Sequence, residues 1–398
     1  MESLYRSFRA RLQLTGLKFI RYLYSEIHWD DRLIGIVGAR GVGKTTLMLQ
    51  YIKQKYGNSN EVLYVSLDDL YFSNHSFFDL AENFWLNGGR VLFVDEVHKY
   101  INWPVELKNI YDVYTGLQVI FSGSSAIGIH LQGADLSRRA AVYKLNTLSI
   151  REFIAMESGQ QFDVLRMETL LIDHVKIASE ICSIIKPVQV FNRFLVSGSY
   201  PFFLEAKAQH LERLRGTINT VIENDLFAIE NFTWQTVSKL RKLLILIAES
   251  VPFKPNISEL SIKTGISRDF LMHLLDLLDK SSLIRQIRQV GSPASILNKP
   301  EKIYLANPVL MFALSANRQP EKGTLRETFF AEQVGNRYSL QVPVNGDFLV
   351  DGKYTVEIGG KNKTSKQIAG INDAYIAKDD IEFGLNNSIP LWLFGFLY

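Results

Sequence analysis

Between Arg32 and Leu148, short unbroken apolar runs alternate with segments of helical spacing. The runs cover residues 33–37, 62–67, 91–94 and 119–121, and residues 142–145 supply a fifth. Apolar runs this short, without polar alternation, predict strands buried on both faces of a parallel sheet. Residues 45–56 and 76–86 lie between them with helical length, so residues 31–155 read as a βα-repeating domain behind a helical lead, 1–30. Residues 156–235 keep helical spacing with few strand-like stretches and predict a helical lid, broken at Pro187 and at the turn 198–201. Residues 236–312 read as two helices, a turn at 264–267, a third helix, and strands over 283–290 and 302–305, the pattern of a winged helix-turn-helix. After Pro320, a helix led by Gly323 and strands near 347–350 and 354–358 predict a small α/β unit over 320–398.

Composition narrows the function classes. The length of 398 residues exceeds what one core usually supports, and 47% apolar residues give each domain material for its own. A net charge of +3 excludes a protein that coats nucleic acid or an anionic membrane through bulk charge. The lone Cys182 excludes an internal disulfide framework and a cysteine zinc site, and fits a reducing cytoplasm. Arg6, Arg9, Arg11, Lys18 and Arg21 stand among apolar residues without the unbroken core of a signal peptide. The apolar run 389–398 is too short to cross a bilayer, so a cytoplasmic protein without a membrane partner is expected. A basic helix lying on a membrane surface is the rival reading of the first thirty residues.

Chemistry enters at Gly38-Ala39-Arg40-Gly41-Val42-Gly43-Lys44-Thr45, which fits G-x-x-x-x-G-K-T between an apolar strand and a helix. Glycines at 38, 41 and 43 let backbone N–H groups turn inward around phosphate oxygens, and the following helix points its positive end at them. Lys44 is placed to reach the β- and γ-phosphates, and Thr45 to give its hydroxyl to Mg²⁺. The third strand ends in Asp95-Glu96, two carboxylates at the strand edge where such folds bind ligand. Asp95 is the expected Mg²⁺ residue and Glu96 the candidate general base. Guanine recognition would need Asp-x-x-Gly after that strand, and Asp95-Glu96-Val97-His98 lacks the glycine, so ATP is the expected nucleotide. Ser122 ends the fourth strand within reach of a γ-phosphate or an attacking water. Arg138 and Arg139 precede the fifth, where a guanidinium can reach a phosphate in its own or a neighbouring subunit.

With these residues in view, the sequence resembles a family of bacterial and archaeal AAA+-type ATPases whose C-terminal domain of unknown function is related to the restriction-endonuclease fold. The resemblance rests on Gly38 through Thr45 with Thr46, on Phe93-Val94-Asp95-Glu96-Val97-His98 with Trp103, on Phe121-Ser122-Gly123-Ser124-Ser125, on Leu136-Ser137-Arg138-Arg139-Ala140, and on residues 145–153. It implies an α/β P-loop NTPase sheet of AAA+ type, with the Ser122 strand between the P-loop strand and the Asp95 strand and Ser122 as sensor. It favours Arg139 as the arginine finger, although the usual glycine before that arginine is replaced by Arg138. His98 stands where relatives often have glutamine and receives no catalytic role.

The segment 236–306 holds eleven Lys or Arg against six Asp or Glu, which brings DNA into consideration. Its third helix nevertheless carries Asp269, Asp276 and Asp279 against Arg268 and His273, which ill suits groove reading. Arg285, Arg288, Lys299 and Lys302 lie in the wing region and suit backbone contact better, while packing against a domain or subunit is the bland alternative. Downstream, Glu327, Asp347, Glu357 and Lys361 are similar to a metal-dependent nuclease constellation. A three-residue loop 351–353 would pair Asp347 with Glu357, and a two-residue loop would part them. The nuclease pattern wants a lysine two residues after the second acid, where Gly359 stands, so a degenerate domain binding nucleic acid or a partner is preferred. The combined expectation is an ATPase, in a candidate homo-oligomer, that couples nucleotide state to the winged helix and the C-terminal domain. A nucleotide-gated DNA-binding switch with little turnover and an ATP-dependent nuclease are its rivals.

Overall fold

The computed structural model describes residues 1–125, 136–205, 209–226, 232–249, 254–291, 299–315 and 319–398. The chain divides into two units, Met1–Asn146 with Asn224–Asn231, and Thr147–Glu223 with Phe232–Tyr398. Residues 292–298, between the two strands read as a wing, lie outside the described residues.

In the first unit, α1 (Glu2–Leu14) buries Leu4, Phe8 and Leu12 and packs on β2 (Val62–Ser66) and on α2 (Lys44–Lys55). Its apolar face is therefore spent inside the protein. The remaining elements are β1 (Leu33–Gly38), α3 (Phe77–Leu86), β3 (Val91–Asp95), α4 (Trp103–Val113), β4 (Gln118–Ser124) and β5 (Ala141–Lys144). The strands form a parallel five-stranded sheet in the order β2-β3-β4-β1-β5. β4 thus lies between β1 and β3, as the resemblance implies. Both faces of β2 and β3 are buried, which is why those strands read as unbroken apolar runs. β5 differs, since it is an edge strand and exposes Val142. Phe93 and Phe121 are completely buried, and truncating either to alanine costs about 3–5 kcal/mol. Because all strands run the same way, Gly38, Asp95 and Ser124 end at one sheet edge.

The second unit begins with α5 (Ile150–Ser158), whose Ser149 and Glu152 form a reciprocal capping box. Then come α6 (Met167–Cys182), α7 (Pro187–Ser197), α8 (His210–Thr220), α9 (Trp234–Glu249), α10 (Ile257–Thr264) and α11 (Arg268–Lys280). An antiparallel pair follows, β6 (Ile284–Gln289) with β7 (Lys302–Leu305). Next are α12 (Pro308–Leu314), α13 (Lys322–Gly335), β8 (Leu340–Val342), β9 (Phe348–Val350), β10 (Tyr354–Gly359), β11 (Ala374–Lys378) and β12 (Ser388–Pro390). One seven-stranded sheet runs β12-β11-β10-β9-β8-β6-β7. The pair β6–β7 joins the C-terminal strands through the parallel bridge of Arg288 and Gln341, so the boundary expected between 312 and 320 falls inside a single sheet. Helix α13 lies on that sheet, with Phe330 against Phe348 and Phe394 at 5.1 and 5.0 Å.

Candidate nucleotide site

The loop between β1 and α2 is shaped by its glycines. Gly41 and Gly43 take φ of 85° and 98°, values that side chains rarely adopt. At Gly38 the constraint is contact, because a Cβ there would lie 2.4 Å from the Leu145 carbonyl oxygen. Arg21, buried beneath the loop, donates to the Val42 carbonyl and, at 2.8 Å, to that of Asn146. Lys44 is buried, and its ammonium donates to the Gly38 and Ala39 carbonyls at 2.9 and 3.1 Å. Burial pulls its pKa below the ordinary lysine value, against the raising effect of Glu96, Asp95 and Asp225. An ammonium resting on carbonyls inside a glycine-shaped loop is suited to a polyanion that could replace those acceptors.

Asp95 collects donors from four directions. Thr45 Oγ1 and Tyr64 OH donate to its Oδ2 at 2.5 and 2.7 Å, and Ser122 Oγ and the Glu96 N–H donate to Oδ1, the latter at 3.1 Å. Burial, and then the charge of Asp95, push the Tyr64 phenol far above its usual range, so it remains a donor. Sequence reasoning missed Tyr64, since a tyrosine in a buried strand reads as core. Thr45 and Asp95 together present hard oxygen donors, the chemistry Mg²⁺ selects. Thr46 follows Thr45 in the first turn of α2.

Glu96 follows with φ 51°, a left-handed conformation that costs a non-glycine residue about 1–3 kcal/mol. The twist turns its carboxylate toward His98, whose buried Nε2 lies 3.3 Å from Glu96 Oε2 and 3.4 Å from Asp225 Oδ1. Neither approach has the direction of a hydrogen bond. Asp225 is buried, with Lys99 Nζ at 2.6 Å and Arg40 at 3.8 Å. Burial alone would raise its pKa, but His98 and Lys99 outweigh that and hold the carboxyl below its ordinary value. Asp225 is the residue at this edge that no motif announced, and His98, grouped with the Asp95 strand by the sequence, was expected to have no catalytic role. Asp225 stands 126 positions beyond Lys99, in a stretch without a spacing signal. Arg139 is fixed by Asp112 of α4 at 3.0 and 3.2 Å, and Arg138 is exposed.

The downstream constellation is rearranged relative to expectation. Val350 pairs with Tyr354, leaving the three-residue loop 351–353, and the register runs toward Asp347 opposite Glu357. Lys361 is exposed, and Lys363 is the residue that pairs with Glu357. The reason is visible at Gly359, where an added Cβ would fall 2.5 Å from the Lys363 side chain, so Lys363 fills the space a residue at 359 would take. Lys302 of β7 lies 3.3 Å from both Glu327 and Asp347, and Tyr304 donates to Glu327 at 2.5 Å. Among the described residues no three His, Cys, Asp or Glu side chains group to hold a metal ion, and no helix is long and apolar enough to cross a membrane.

Comparison with known proteins finds family matches along both parts of the chain. Residues 188–321 match a domain of unknown function, DUF8612. The uncharacterized protein MJ1637 of Methanocaldococcus jannaschii is 28% identical over 368 residues, covering 84% of this chain and 77% of that protein. Among solved structures, AMPPCP-bound DnaA from Aquifex aeolicus aligns over 65% of this chain and 84% of its own, at 14% identity and a TM-score of 0.28. The Aeropyrum pernix ORC1 protein in complex with DNA aligns over 78% and 91%, at 12% identity and a TM-score of 0.31. Residues 30–154 match the family described as an AAA domain. That match falls on the residues carrying β1 through β5, and with the loop geometry it supports a nucleotide-binding ATPase of P-loop type in the first unit.

Proposed function

We propose that the first unit binds ATP with Mg²⁺ and hydrolyses it to ADP and phosphate. The observation that carries this reading is the link from Thr45 to Asp95 beside a loop whose Gly41 and Gly43 take the positive φ that a phosphate-cradling turn needs. The backbone of residues 38–46, through Ala39, Arg40, Val42 and Thr46 as well as the glycines, cradles the phosphates, and Lys44 leaves its carbonyl acceptors for phosphate oxygens. Thr45 and Asp95 would hold Mg²⁺, which when bound supplies charge neutralisation on the phosphates. Glu96 accepts the proton of the attacking water, a role worth about 10²–10⁴ in rate. Ser122, hydrogen-bonded to Asp95, reports the state of the site, and Arg139 leaves Asp112 to serve a neighbouring copy as arginine finger.

In this reading turnover acts on the second unit, where α9, α10, α11 and the β6–β7 pair serve as a winged helix and the strands after it as a degenerate nuclease-like domain. Both are candidate DNA contacts. The placement of Lys302 between Glu327 and Asp347 favours degeneracy over cutting. Lys44→Ala should abolish tight ATP binding, and Glu96→Gln should bind ATP with near-normal affinity yet hydrolyse it at least about 10²-fold more slowly. Wild-type turnover in the Glu96→Gln protein would remove Glu96 from the role of base.

A further inference from the structure

His98 is the unspent group at this edge. Its ring is buried, and the Ser124 N–H points at Nδ1 from 3.4 Å, which leaves Nδ1 as acceptor and puts the ring proton on Nε2. That single proton faces two carboxylates at nearly equal distance and is committed to neither. The carboxylates differ in their support. Asp225 is held from outside by Lys99 at 2.6 Å, with Arg40 of the phosphate loop at 3.8 Å. Glu96 sits on a left-handed backbone that aims it back at the ring.

We propose that Asp225 is a positioning residue for ATP hydrolysis, acting through His98: it draws the Nε2 proton away from Glu96 and keeps that carboxylate free to accept a proton from water. A hydrogen bond from His98 would occupy one Glu96 oxygen and weaken it as a base. Asp225 prevents this by competing for the same proton, and Lys99 keeps Asp225 ionised and in place. The residues 224–226 that deliver Asp225 lie outside the matched AAA segment 30–154, so the hydrolytic edge is completed by a distant part of the chain. Displacing that segment would hand the proton to Glu96 and idle the site without emptying it. The proposal rests on Glu96 being the base.

A double-mutant cycle on the full chain tests it, reading kcat and, separately, affinity for a fluorescent ATP analogue. Asp225→Asn should lower kcat by about tenfold or more while affinity stays within about twofold, because the loss falls on the base and not on the phosphate cradle. Asp225→Asn should cost little or nothing further in the His98→Ala background, whatever rate His98→Ala itself sets, since the competing donor is gone. A double variant that falls below His98→Ala by the same factor as Asp225→Asn falls below wild type, or an Asp225→Asn protein with wild-type kcat, overturns the proposal. Long-range ¹H–¹⁵N spectra of the wild-type imidazole give a readout independent of turnover and of variant folding. An Nε2–H tautomer for His98 is expected, and an Nδ1–H tautomer overturns the relay. Glu96→Gln decides the parent reading separately, so an ordinary rate there combined with a normal His98 tautomer would place the failure in the base assignment.

Discussion

Thr45 Oγ1 donates to Asp95 Oδ2 across 2.5 Å, joining the first turn of α2 to the end of β3. The hydroxyl and carboxylate are therefore already adjacent, and a cation at this point would find its two protein oxygens close together. Replacing Thr45 with alanine removes one oxygen but leaves Asp95 its bonds from Tyr64 and Ser122. Thr45→Ala should lose at least about tenfold in ATP affinity with Mg²⁺ present and change little in EDTA, the difference being one lost charge-assisted contact. Equilibrium titration under both conditions checks this. An equal loss in EDTA would mean the hydroxyl serves the fold rather than the cation.

Gly38 is tested through its contact with the Leu145 carbonyl. A Cβ at 2.4 Å from a backbone oxygen cannot be relieved by a rotamer change, so the loop or the end of β5 must move. Gly38→Ala should destabilise the protein by about 1–3 kcal/mol, as overpacking does, and weaken nucleotide binding further because the loop is what shifts. Denaturant melts and nucleotide titrations on the same preparation measure the two losses. Unchanged values for both would show that the loop yields freely.

Lys302 answers both Glu327 and Asp347 at 3.3 Å, and burial with the nearby Asp347 already pushes Glu327 above its ordinary pKa. Removing the ammonium leaves two half-buried carboxylates facing each other, a change that costs about 3–5 kcal/mol when a buried pair is broken. Lys302→Met should therefore melt at a lower temperature than wild type, and Mn²⁺ should restore part of the loss while leaving the wild-type melting temperature unchanged. A wild-type protein stabilised by Mn²⁺ to the same degree would show that the lysine does not stand in the cation's place.

The first unit was legible because its signals are local. A strand buried on both faces must be apolar throughout, and a phosphate loop must carry glycine where φ is positive, so β1 to β4, Gly41 and Gly43 were all written in neighbouring residues. Helix α4 went unread between Trp103 and Val113, where a surface-facing mixture blurs the spacing. Asp225 could not be found this way, because its partners His98, Lys99 and Arg40 lie far back in the chain and no periodicity links them. In the second unit, the three-residue strand β8 is too short to announce itself, yet it is the strand that joins β6 to the C-terminal sheet. Lys363 in place of Lys361 turned on the empty volume over Gly359, a property of packing that spacing does not carry.

Glu332 supplies a pH dependence. Complete burial in α13 pushes its carboxyl up to about 7, more than the hydrogen bond from Thr147 at 2.7 Å and the nearby Arg285 pull it down. An acid raised in the folded state is neutral in both states below the ordinary carboxylate pKa, and there it exacts no penalty. As pH rises past that value the unfolded chain ionises first, so stability falls steadily until pH reaches about 7, where the folded protein ionises too. The full loss is about 3 kcal/mol at one pKa unit per 1.36 kcal/mol. Glu332→Gln keeps an acceptor for Thr147 and cannot ionise. Its melting temperature should match wild type near pH 4.5 and exceed it by several degrees at pH 8, with the gap opening between those values. Thermal melts of both proteins across that range give the difference directly. A gap that stayed constant with pH would mean that Glu332 is ionised, and paired, throughout.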